Sequence, residues 1–204
     1  MSDEPDAMRF RAAMSRFPTG VVLLTQGGPN TLEAMTANSF ASVSLQPPLI
    51  LISVRSDSRM RARMDACTTF AIQILHEGQR HLAACFARHQ RPGGAQAADV
   101  LEAVPTPLGN VIVASAIAVL ECMLFARHAG GDHVIYIGRV ACIHMSPDER
   151  LPLTFHRGEF TVPLSRLTIK SPHEEMRVNG ISKAASALFE VGSARSASPD
   201  YRLP

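Results

Sequence analysis

The sequence lacks any hydrophobic segment long enough to cross a membrane as a helix. One of its longest apolar runs, VIVASAIAVLECMLFA, is broken by Ser115 and Glu121 and falls short of the ~20 continuous apolar residues of a membrane span. The N-terminus, MSDEPDAMRF, is acidic and has no apolar core of the signal-peptide type. Hydrophobic residues still make up 46% of the 204 residues, which predicts a globular protein. We therefore expect a cytoplasmic protein that does not bind membranes.

Cysteine and net charge are also low. The four cysteines form no CxxC pair and have no neighbouring histidines at metal-ligand spacing, so we expect reduced thiols, no metal site and no disulfide framework. The formal net charge is only +2, and no block of like charge exceeds a few residues. Nucleic acid is therefore not an expected partner, and any anion site must be local.

The sequence also has no GxGxxG motif after a predicted strand, which excludes a Rossmann nucleotide site. Short apolar segments between turn residues predict antiparallel strands instead. We expect strands in GVVLLT, LEAMT, LILISV and TTFAIQIL, two long strands between Asn110 and Met145, and a bent strand in LPLTFHRGEFTVPL. Helices are expected in DAMRFRAAMSRF, SDSRMRARMDA and EGQRHLAACFARH. Gly130 and Gly131, between the two long strands, are expected to supply the positive φ of a hairpin turn.

This pattern favours a mainly β fold with flanking helices, in the form of an antiparallel, Greek-key-like barrel that is closed or nearly closed. The barrel domain is expected to occupy residues 1–170. After Lys170 the composition shifts to Ser, Ala and charge, so residues 171–204 are expected to form a C-terminal extension that is partly helical or mobile.

The stretch MTANSFASVSLQPPLILISV places small polar residues directly in front of an apolar run. Short side chains that are half buried must find hydrogen-bond partners. Two sources of partners remain open at this point, namely the neighbouring backbone and a bound ligand. The small polar residues are Thr36, Asn38, Ser39, Ser42 and Ser44.

A second polar group precedes a predicted helix. Ser56, Asp57 and Ser58 are good N-caps, and the helix that they open points its free N–H groups outward. Arg59 and Arg63 are expected to share one face of this helix, and Met60, Met64 and Cys67 the opposite, core-facing one. The segment predicts either a capped surface helix with solvated arginines or a phosphate-binding site.

Two further segments carry histidine. Asp132 and His133 follow the glycine turn, where His133 could contact a nucleotide or manage a proton, or where Asp132 could bond to the turn and leave His133 idle. In FHRGEF, His156 and Arg157 precede a glycine within a predicted strand, which indicates a bulge. That pair either turns a barrel corner or contacts a nucleotide.

Five segments together are similar, in order and spacing, to the flavin reductase family, the reductase components of two-component flavin-dependent monooxygenases. They are FPTGVVLLT, MTANSFASVSLQPPLILISV, FAIQILHEGQRHLAACFA, LECMLFARHAGGDHVIYIGRV and FHRGEF. The resemblance runs from about Met8 to Leu167. It implies an FMN-binding split barrel that forms a homodimer, with FMN or FAD near the subunit interface and NADH or NADPH as the hydride donor. It also implies that reduced flavin diffuses to a monooxygenase partner.

The resemblance further implies a set of site residues. His133 would act on the nicotinamide side as the catalytic residue. The flavin ring and ribityl chain would face Thr36, Ala37, Asn38, Ser39 and Ser42, and the phosphate end would lie among Ser53, Val54, Ser58 and Arg59. The remaining cofactor-binding candidates are Phe86, Asp132, His156 and Arg157. Gln73 and Met60 depart from the family pattern, which more often has Asn and a hydroxyl residue there.

Two other functions compete with diffusible flavin reduction. One is a reductase that retains its flavin and reduces another acceptor, such as a corrinoid. The other is a non-enzymatic, flavin-binding split barrel that acts as a store or a sensor.

Overall fold

The computed structural model describes residues 6–163. The predicted extension, residues 171–204, lies outside this range. None of the helices in the described range is long and apolar enough to cross a membrane. The helices are α1 (Ala7–Met14), α2 (Arg59–Ala66), α3 (Arg80–Phe86) and α4 (Gly94–Val100), with short 3-10 helices at Pro29–Thr31 and Glu77–Gln79.

Strands account for most of the regular structure. The first six are β1 (Thr19–Gly20), β2 (Val22–Gln26), β3 (Glu33–Ala37), β4 (Phe40–Leu45), β5 (Pro48–Arg55) and β6 (Thr69–Ile74). The second six are β7 (Val104–Pro105), β8 (Val111–Ile112), β9 (Ala118–Gly130), β10 (His133–Met145), β11 (Thr154–His156) and β12 (Glu159–Thr161).

Seven strands form one antiparallel sheet in the order β3-β2-β6-β9-β10-β5-β4. A smaller sheet has the order β1-β11-β12, and β7 pairs with β8. The predicted mainly β, antiparallel fold with flanking helices is confirmed. Within residues 6–163 the edge strands β3 and β4 do not pair with each other, so the barrel is split and not closed.

The long β9–β10 hairpin brings distant residues to one end of β5. Its turn needs one glycine with positive φ, Gly131 at +70°, whereas Gly130 ends β9 without one, so the expectation that both supply it was wrong. A glycine at the first central position is typical of a type II′ turn. In the sheet register His133 stands opposite Arg55, the last residue of β5. The turn therefore delivers His133 to the segment that opens α2.

Farther along β10, the backbone of Gly138 lies close to a buried ring. A Cβ atom at Gly138 would lie 2.5 Å from Cζ of Phe70. The register between β9 and β10 shifts beside this glycine and again between Val140 and Cys142. Because a β-bulge re-aims the side chains beyond it, these shifts decide which residues of β9 and β10 meet.

The core lies on both faces of β2. Successive side chains of a strand point to opposite faces, so Leu23 packs into one apolar cluster and Val22 and Leu24 into another. The first cluster includes the buried side of α3, with Phe86 fully buried, and the second includes Val54. Met60 and Met64 of α2 and Cys67, just after it, are also buried there, as the predicted core-facing stripe requires.

The prediction of a bulged strand near the end of the described range was wrong. The segment FHRGEF is not a bulged strand but a tight hairpin, in which Arg157 (φ 51°) and Gly158 (φ 86°) link β11 to β12. Two consecutive residues with positive φ are typical of a type I′ turn. The serine-rich half of MTANSFASVS forms β4, an edge strand that pairs with β5.

Candidate functional site

A cleft of about 570 Å³ opens where β3, β5 and β10 meet the start of α2 and the end of α3. This volume lies within the range of roughly 300–1,000 Å³ that small-molecule sites occupy. Eight of the predicted site residues line it, namely Thr36, Ala37, Asn38, Ser39, Ser53, Ser58, Arg59 and His133. Seven more lining residues were not predicted, namely Met35, Arg55, Asp57, Ala87, Arg88, His89 and Arg91.

The small polar side chains of the cleft wall are tied to the backbone. The Thr36 hydroxyl donates to the carbonyl of Ala83 at 2.8 Å, which fixes the end of β3 against α3. The Ser39 hydroxyl donates to the carbonyl of Ser53 at 2.7 Å, and the Ser53 amide donates back to Ser39 at 3.3 Å. The backbone therefore satisfies these two hydroxyls, and the bonds hold the β3–β4 turn at the edge of the cleft.

The start of α2 forms the next wall. Ser58 caps the helix by accepting a hydrogen bond from the Arg61 amide at 3.2 Å, as predicted for this segment. Arg55 and Asp57 form a two-point ion pair on the rim, with N···O distances of 3.0 and 2.7 Å. The hydrogen bond from Arg55 holds the pKa of Asp57 below its ordinary value, and Asp57 raises the pKa of Arg55. The Asp57 carboxylate on the rim is therefore paired with the Arg55 guanidinium.

Arg59 is held in place by a buried ion pair. Arg91 is 2.6 Å from the Glu33 carboxylate and donates to the Ala34 carbonyl at 2.7 Å. Arg59 lies 3.5 Å from the same carboxylate and donates to the Arg91 carbonyl at 2.9 Å. Half of the Arg59 side chain is exposed, so several of its five N–H donors remain available to a ligand.

Arg63, the other arginine of the predicted shared face, does not line the cleft. Its guanidinium donates to the carbonyl of Thr31. Arg88 and His89, just after α3, also line the cleft, and Arg88 adds a positive charge. Their signal in the sequence was the basic cluster FARHQR, which was assigned to the helix and not to the site.

His133 enters the cleft from the first position of β10. Its Nδ1 lies 2.7 Å from the Asp132 carboxylate, and the Asp132 carbonyl accepts from the Ser56 amide at 2.9 Å. The hydrogen bond with His133 lowers the pKa of Asp132 below its ordinary value. An ionised carboxylate only accepts, so Nδ1 carries a proton in this contact, which leaves Nε2 for a ligand.

Six predicted site residues do not line the cleft. Val54 and Phe86 are fully buried in the core, whereas Ser42 is exposed on β4. Asp132 lies behind His133, with 89% of its side chain exposed. His156 and Arg157 belong to the β11–β12 hairpin. For all six residues, contact with a cofactor stays a prediction.

The β11–β12 hairpin contributes to a smaller apolar pocket of about 150 Å³ beside the cleft. Phe155 and Phe160 line it and pack edge to face, with ring centroids 5.5 Å apart. The pocket shares Thr36, Ala37 and Asn38 with the cleft. The β3–β4 turn therefore has a polar, cationic space on one side and an apolar one on the other.

Gln73, which departs from the predicted pattern, is fully buried on β6 and does not line the cleft. Its amide donates to the Thr25 hydroxyl at 3.1 Å, and that hydroxyl donates to the Val111 carbonyl at 2.8 Å. The Gln73 amide therefore forms a buried hydrogen bond within the sheet and not a contact in the cleft.

A family model described as Flavin reductase like domain matches residues 14–162, well over half of the chain. The chain belongs to this family. The match ends just after β12, and it contains every residue that lines the cleft.

Relatives of this flavin reductase-like domain agree in length as well as in sequence. The NADH-dependent FMN reductase AsuE2 of Streptomyces nodosus subsp. asukaensis is 40% identical over 169 residues, covering 83% of this chain and 88% of the relative. HsaB of Rhodococcus jostii, the reductase subunit of a flavin-dependent monooxygenase, is 33% identical over 167 residues, covering 82% and 83%. The solved structure of the NADH:FAD oxidoreductase SgcE6 of Streptomyces globisporus is 38% identical, with a TM-score of 0.70 over 79% of this chain and 90% of that chain.

The cleft of this flavin reductase-like domain suits a flavin nucleotide. A flat ring with carbonyls and ring nitrogens along one edge needs small neighbours, and Ala37 and Ser39 leave such room. A phosphate needs donors and positive charge, which the capped start of α2 and Arg59 offer. The residues present therefore fit the cofactor that the family implies.

Proposed function

We propose that this protein is an NADH-dependent flavin reductase that supplies reduced FMN or FAD to a separate monooxygenase. The observation that carries the proposal is one cleft in which a turn of small polar residues faces an arginine-bearing helix start, with His133 at its edge. The names of AsuE2, HsaB and SgcE6 support the activity, the partner and the donor. SgcE6 has also been solved with NAD and FAD fragments.

In this proposal the chain itself binds and aligns. Thr36–Ser39 and Ser53 hold the ring and ribityl part of the flavin, and Ser58 with Arg59 holds its phosphate. When bound, the flavin takes up a hydride from the reduced nicotinamide. The fixed β3–β4 turn keeps the reacting rings in one relative position and limits the access of water, which is how a protein accelerates cofactor chemistry.

His133 acts on the nicotinamide side. Asp132 orients the ring through Nδ1, so Nε2 is the ring nitrogen left for a ligand in the cleft. The carboxamide N–H of a nicotinamide is a chemically suitable donor for this nitrogen. His133 is therefore a positioning group for the donor and has no part in flavin retention.

Reduced flavin leaves the protein in this proposal. The predicted flavin contacts come from short hydroxyls, one amide and one arginine, and residues 36–40 include neither Lys nor Cys. A site that must release its product should not be so complementary that release limits turnover.

The proposed location is the cytoplasm. Free thiols at all four cysteines suit the reducing cytoplasm, where NADH is made.

The decisive experiment measures aerobic NADH oxidation with and without added FMN or FAD, and with NADPH in place of NADH. We expect oxidation that saturates with flavin concentration and prefers NADH. Flavin that stays bound while NADH reduces a corrinoid would favour the retained-cofactor reductase. A tightly bound, yellow flavin without NADH oxidation would favour a non-enzymatic flavin-binding protein.

A second experiment tests diffusible delivery. The reductase and a flavin-dependent monooxygenase are separated by a dialysis membrane, and hydroxylated product is measured after NADH is added on the reductase side. Product formation is expected, at a rate limited by diffusion and by the oxidation of free reduced flavin. Product that forms only when the two proteins can touch would replace diffusion by direct transfer.

The functional unit in this proposal is a homodimer. Within residues 6–163, large apolar side chains are exposed on β4 and on the β9–β10 hairpin, namely Val43, Leu45, Met123, Phe125, Ile143 and Met145. Several exposed apolar side chains near one another indicate an interaction surface. A second copy of the chain is the partner that the family resemblance implies.

A further inference from the structure

Three metal-ligating side chains converge far from the cleft. Glu121 of β9 stands opposite Cys142 of β10 in the sheet register, and His144 lies two residues farther along β10. Because alternate residues of a strand share a face, Cys142 and His144 project on the same side. One ligand atom from each residue lies within 4.8 Å of the other two. The register shift between Val140 and Cys142 produces this meeting.

The two carboxylate oxygens of Glu121 have different partners. Its Oε2 accepts from the Thr106 hydroxyl at 2.5 Å and from the Asn110 amide at 2.9 Å. Its Oε1 faces Nε2 of His144 at 2.8 Å, and the residue as a whole is 1% exposed. Among the described residues no Lys or Arg forms an ion pair with Glu121. A buried carboxylate held in this way offers one fixed oxygen to a cation.

We propose that Glu121, Cys142 and His144 bind a Zn²⁺ ion. Zinc accepts thiolate, imidazole and carboxylate ligands in one site. With Zn–S near 2.3 Å and Zn–N near 2.0–2.1 Å, a tetrahedral site separates its sulfur and nitrogen ligands by about 3.6 Å. In the structure Sγ of Cys142 lies 3.5 Å from Nε2 of His144. Nε2 of His144 and Oε1 of Glu121 are hydrogen-bonded at 2.8 Å, and zinc would replace the shared proton and separate these two atoms to about 3.4 Å. Water completes the fourth position, because the His144 side chain is 44% exposed.

The site is independent of the proposed flavin chemistry. His133, at the cleft, and His144 are eleven residues apart on β10, which corresponds to roughly 35 Å of extended strand. The ion would join β9 to β10 where the bulge interrupts their ladder, and the Thr106–Asn110 turn would be joined through Glu121. Zinc therefore stabilises this end of the hairpin, and the hydride transfer needs no metal.

The test titrates the full-length, tag-free, metal-depleted protein with Zn²⁺ in competition with a chromophoric chelator. One equivalent of tightly bound zinc is expected, together with a higher melting temperature. Cys142→Ser and His144→Ala should each weaken binding at least about tenfold. Cys85→Ser is the matched control, because Cys85 is also a half-buried free thiol but lies on α3.

Cobalt provides a readout that does not depend on enzyme activity. Co²⁺ bound at this site should show a thiolate-to-metal charge-transfer band that disappears in Cys142→Ser and persists in Cys85→Ser. Circular dichroism and flavin reduction in the absence of metal check that each variant is folded. If Cys142→Ser and His144→Ala, once folded, bind zinc as well as the wild type does, the cluster is only a hydrogen-bonded Glu–His pair. The same conclusion follows if the wild type binds none.

Discussion

Arg59 shows how a single cleft residue depends on its neighbours. Glu33 attracts its guanidinium at 3.5 Å and the Arg91 carbonyl accepts from it at 2.9 Å, yet half of the side chain stays exposed toward the cleft. A charged group that is already oriented loses less entropy when a phosphate binds. Arg59 is therefore suited to the phosphate of FMN.

Replacement of Arg59 with Ala should weaken FMN binding by about 1.5–3 kcal/mol, the usual size of a charge-assisted hydrogen bond. Riboflavin, which has no phosphate, should bind nearly as before. Arg63→Ala is the matched control, because Arg63 lies one helical turn away and does not line the cleft. Equal losses for FMN and riboflavin, measured by fluorescence titration, would contradict the phosphate assignment.

Replacement of His133 with Ala should slow the reduction of bound flavin by NADH, by up to about tenfold, the worth of one hydrogen bond. The affinity for flavin should stay nearly unchanged, since other residues of the cleft hold it. Stopped-flow absorbance separates the two effects. Asp132→Asn, which keeps the shape but removes the charge that orients the ring, should fall between wild type and His133→Ala. Reduction at the wild-type rate in His133→Ala would leave His133 without a role.

At the scale of elements, a buried tyrosine joins β10 to α2. The Tyr136 hydroxyl donates to the Asp65 carboxylate at 2.6 Å, and Arg61 lies 2.6 Å from the other oxygen. Burial, followed by the nearby Asp65 carboxylate, raises the pKa of Tyr136, so the phenol stays protonated. The bond from Tyr136 in turn lowers the pKa of Asp65 below its ordinary value.

Tyr136→Phe should lower the free energy of unfolding by about 1–2 kcal/mol near neutral pH. The sign of the pH dependence follows from Asp65, whose pKa is lower in the folded state than in the unfolded state. Its stabilising contribution is present above the unfolded-state pKa of about 3.9 and is lost as the pH falls through the lower, folded-state value. Urea unfolding from pH 7 to pH 3 should therefore show a difference between wild type and Tyr136→Phe that shrinks toward pH 3. A difference that is constant over this range would contradict the Asp65 assignment.

At the scale of the whole molecule, the exposed apolar side chains of β4 and the β9–β10 hairpin require an explanation. Phe125 is 60% exposed, and Met123 on the same strand is 52% exposed. Exposed apolar side chains of this size indicate an interaction surface on β9.

Phe125→Asp should convert the proposed homodimer to monomer, because a charge in an apolar interface stays without a partner. Sedimentation equilibrium measures the change directly. Wild type that sediments as a monomer at all concentrations would contradict the dimer.

The reductase activity should reside in residues 1–170, the domain that the composition shift after Lys170 predicts. A chain truncated after Lys170 should keep its NADH oxidation and its flavin affinity, since the family match ends at residue 162 and every cleft residue precedes it. Loss of activity in a truncated chain that still unfolds cooperatively would assign residues 171–204 a part in the chemistry.

The amino-acid sequence alone determined the class of the molecule, because local patterns carry that information. Apolar runs and turn residues predicted most strands, and N-cap chemistry predicted that a serine opens α2. Five motifs in order predicted the family. Eight of the predicted site residues lie in one cleft, because each motif brings its residues to the end of a strand or helix.

The tertiary structure decided what depends on register and on distant contacts. Only the fold shows that Arg91 and Glu33 support Arg59, that Val54 and Phe86 point into the core, and that the barrel is split. The sequence predicted no metal site, because its four cysteines form no CxxC pair and no histidine was recognised at ligand spacing beside them. Glu121 meets Cys142 and His144 because β9 pairs with β10 in a register that a bulge sets. The spacing of residues along the chain predicts neither the pairing nor the bulge. A shift of one residue in register would turn the Glu121 side chain to the other face of the sheet.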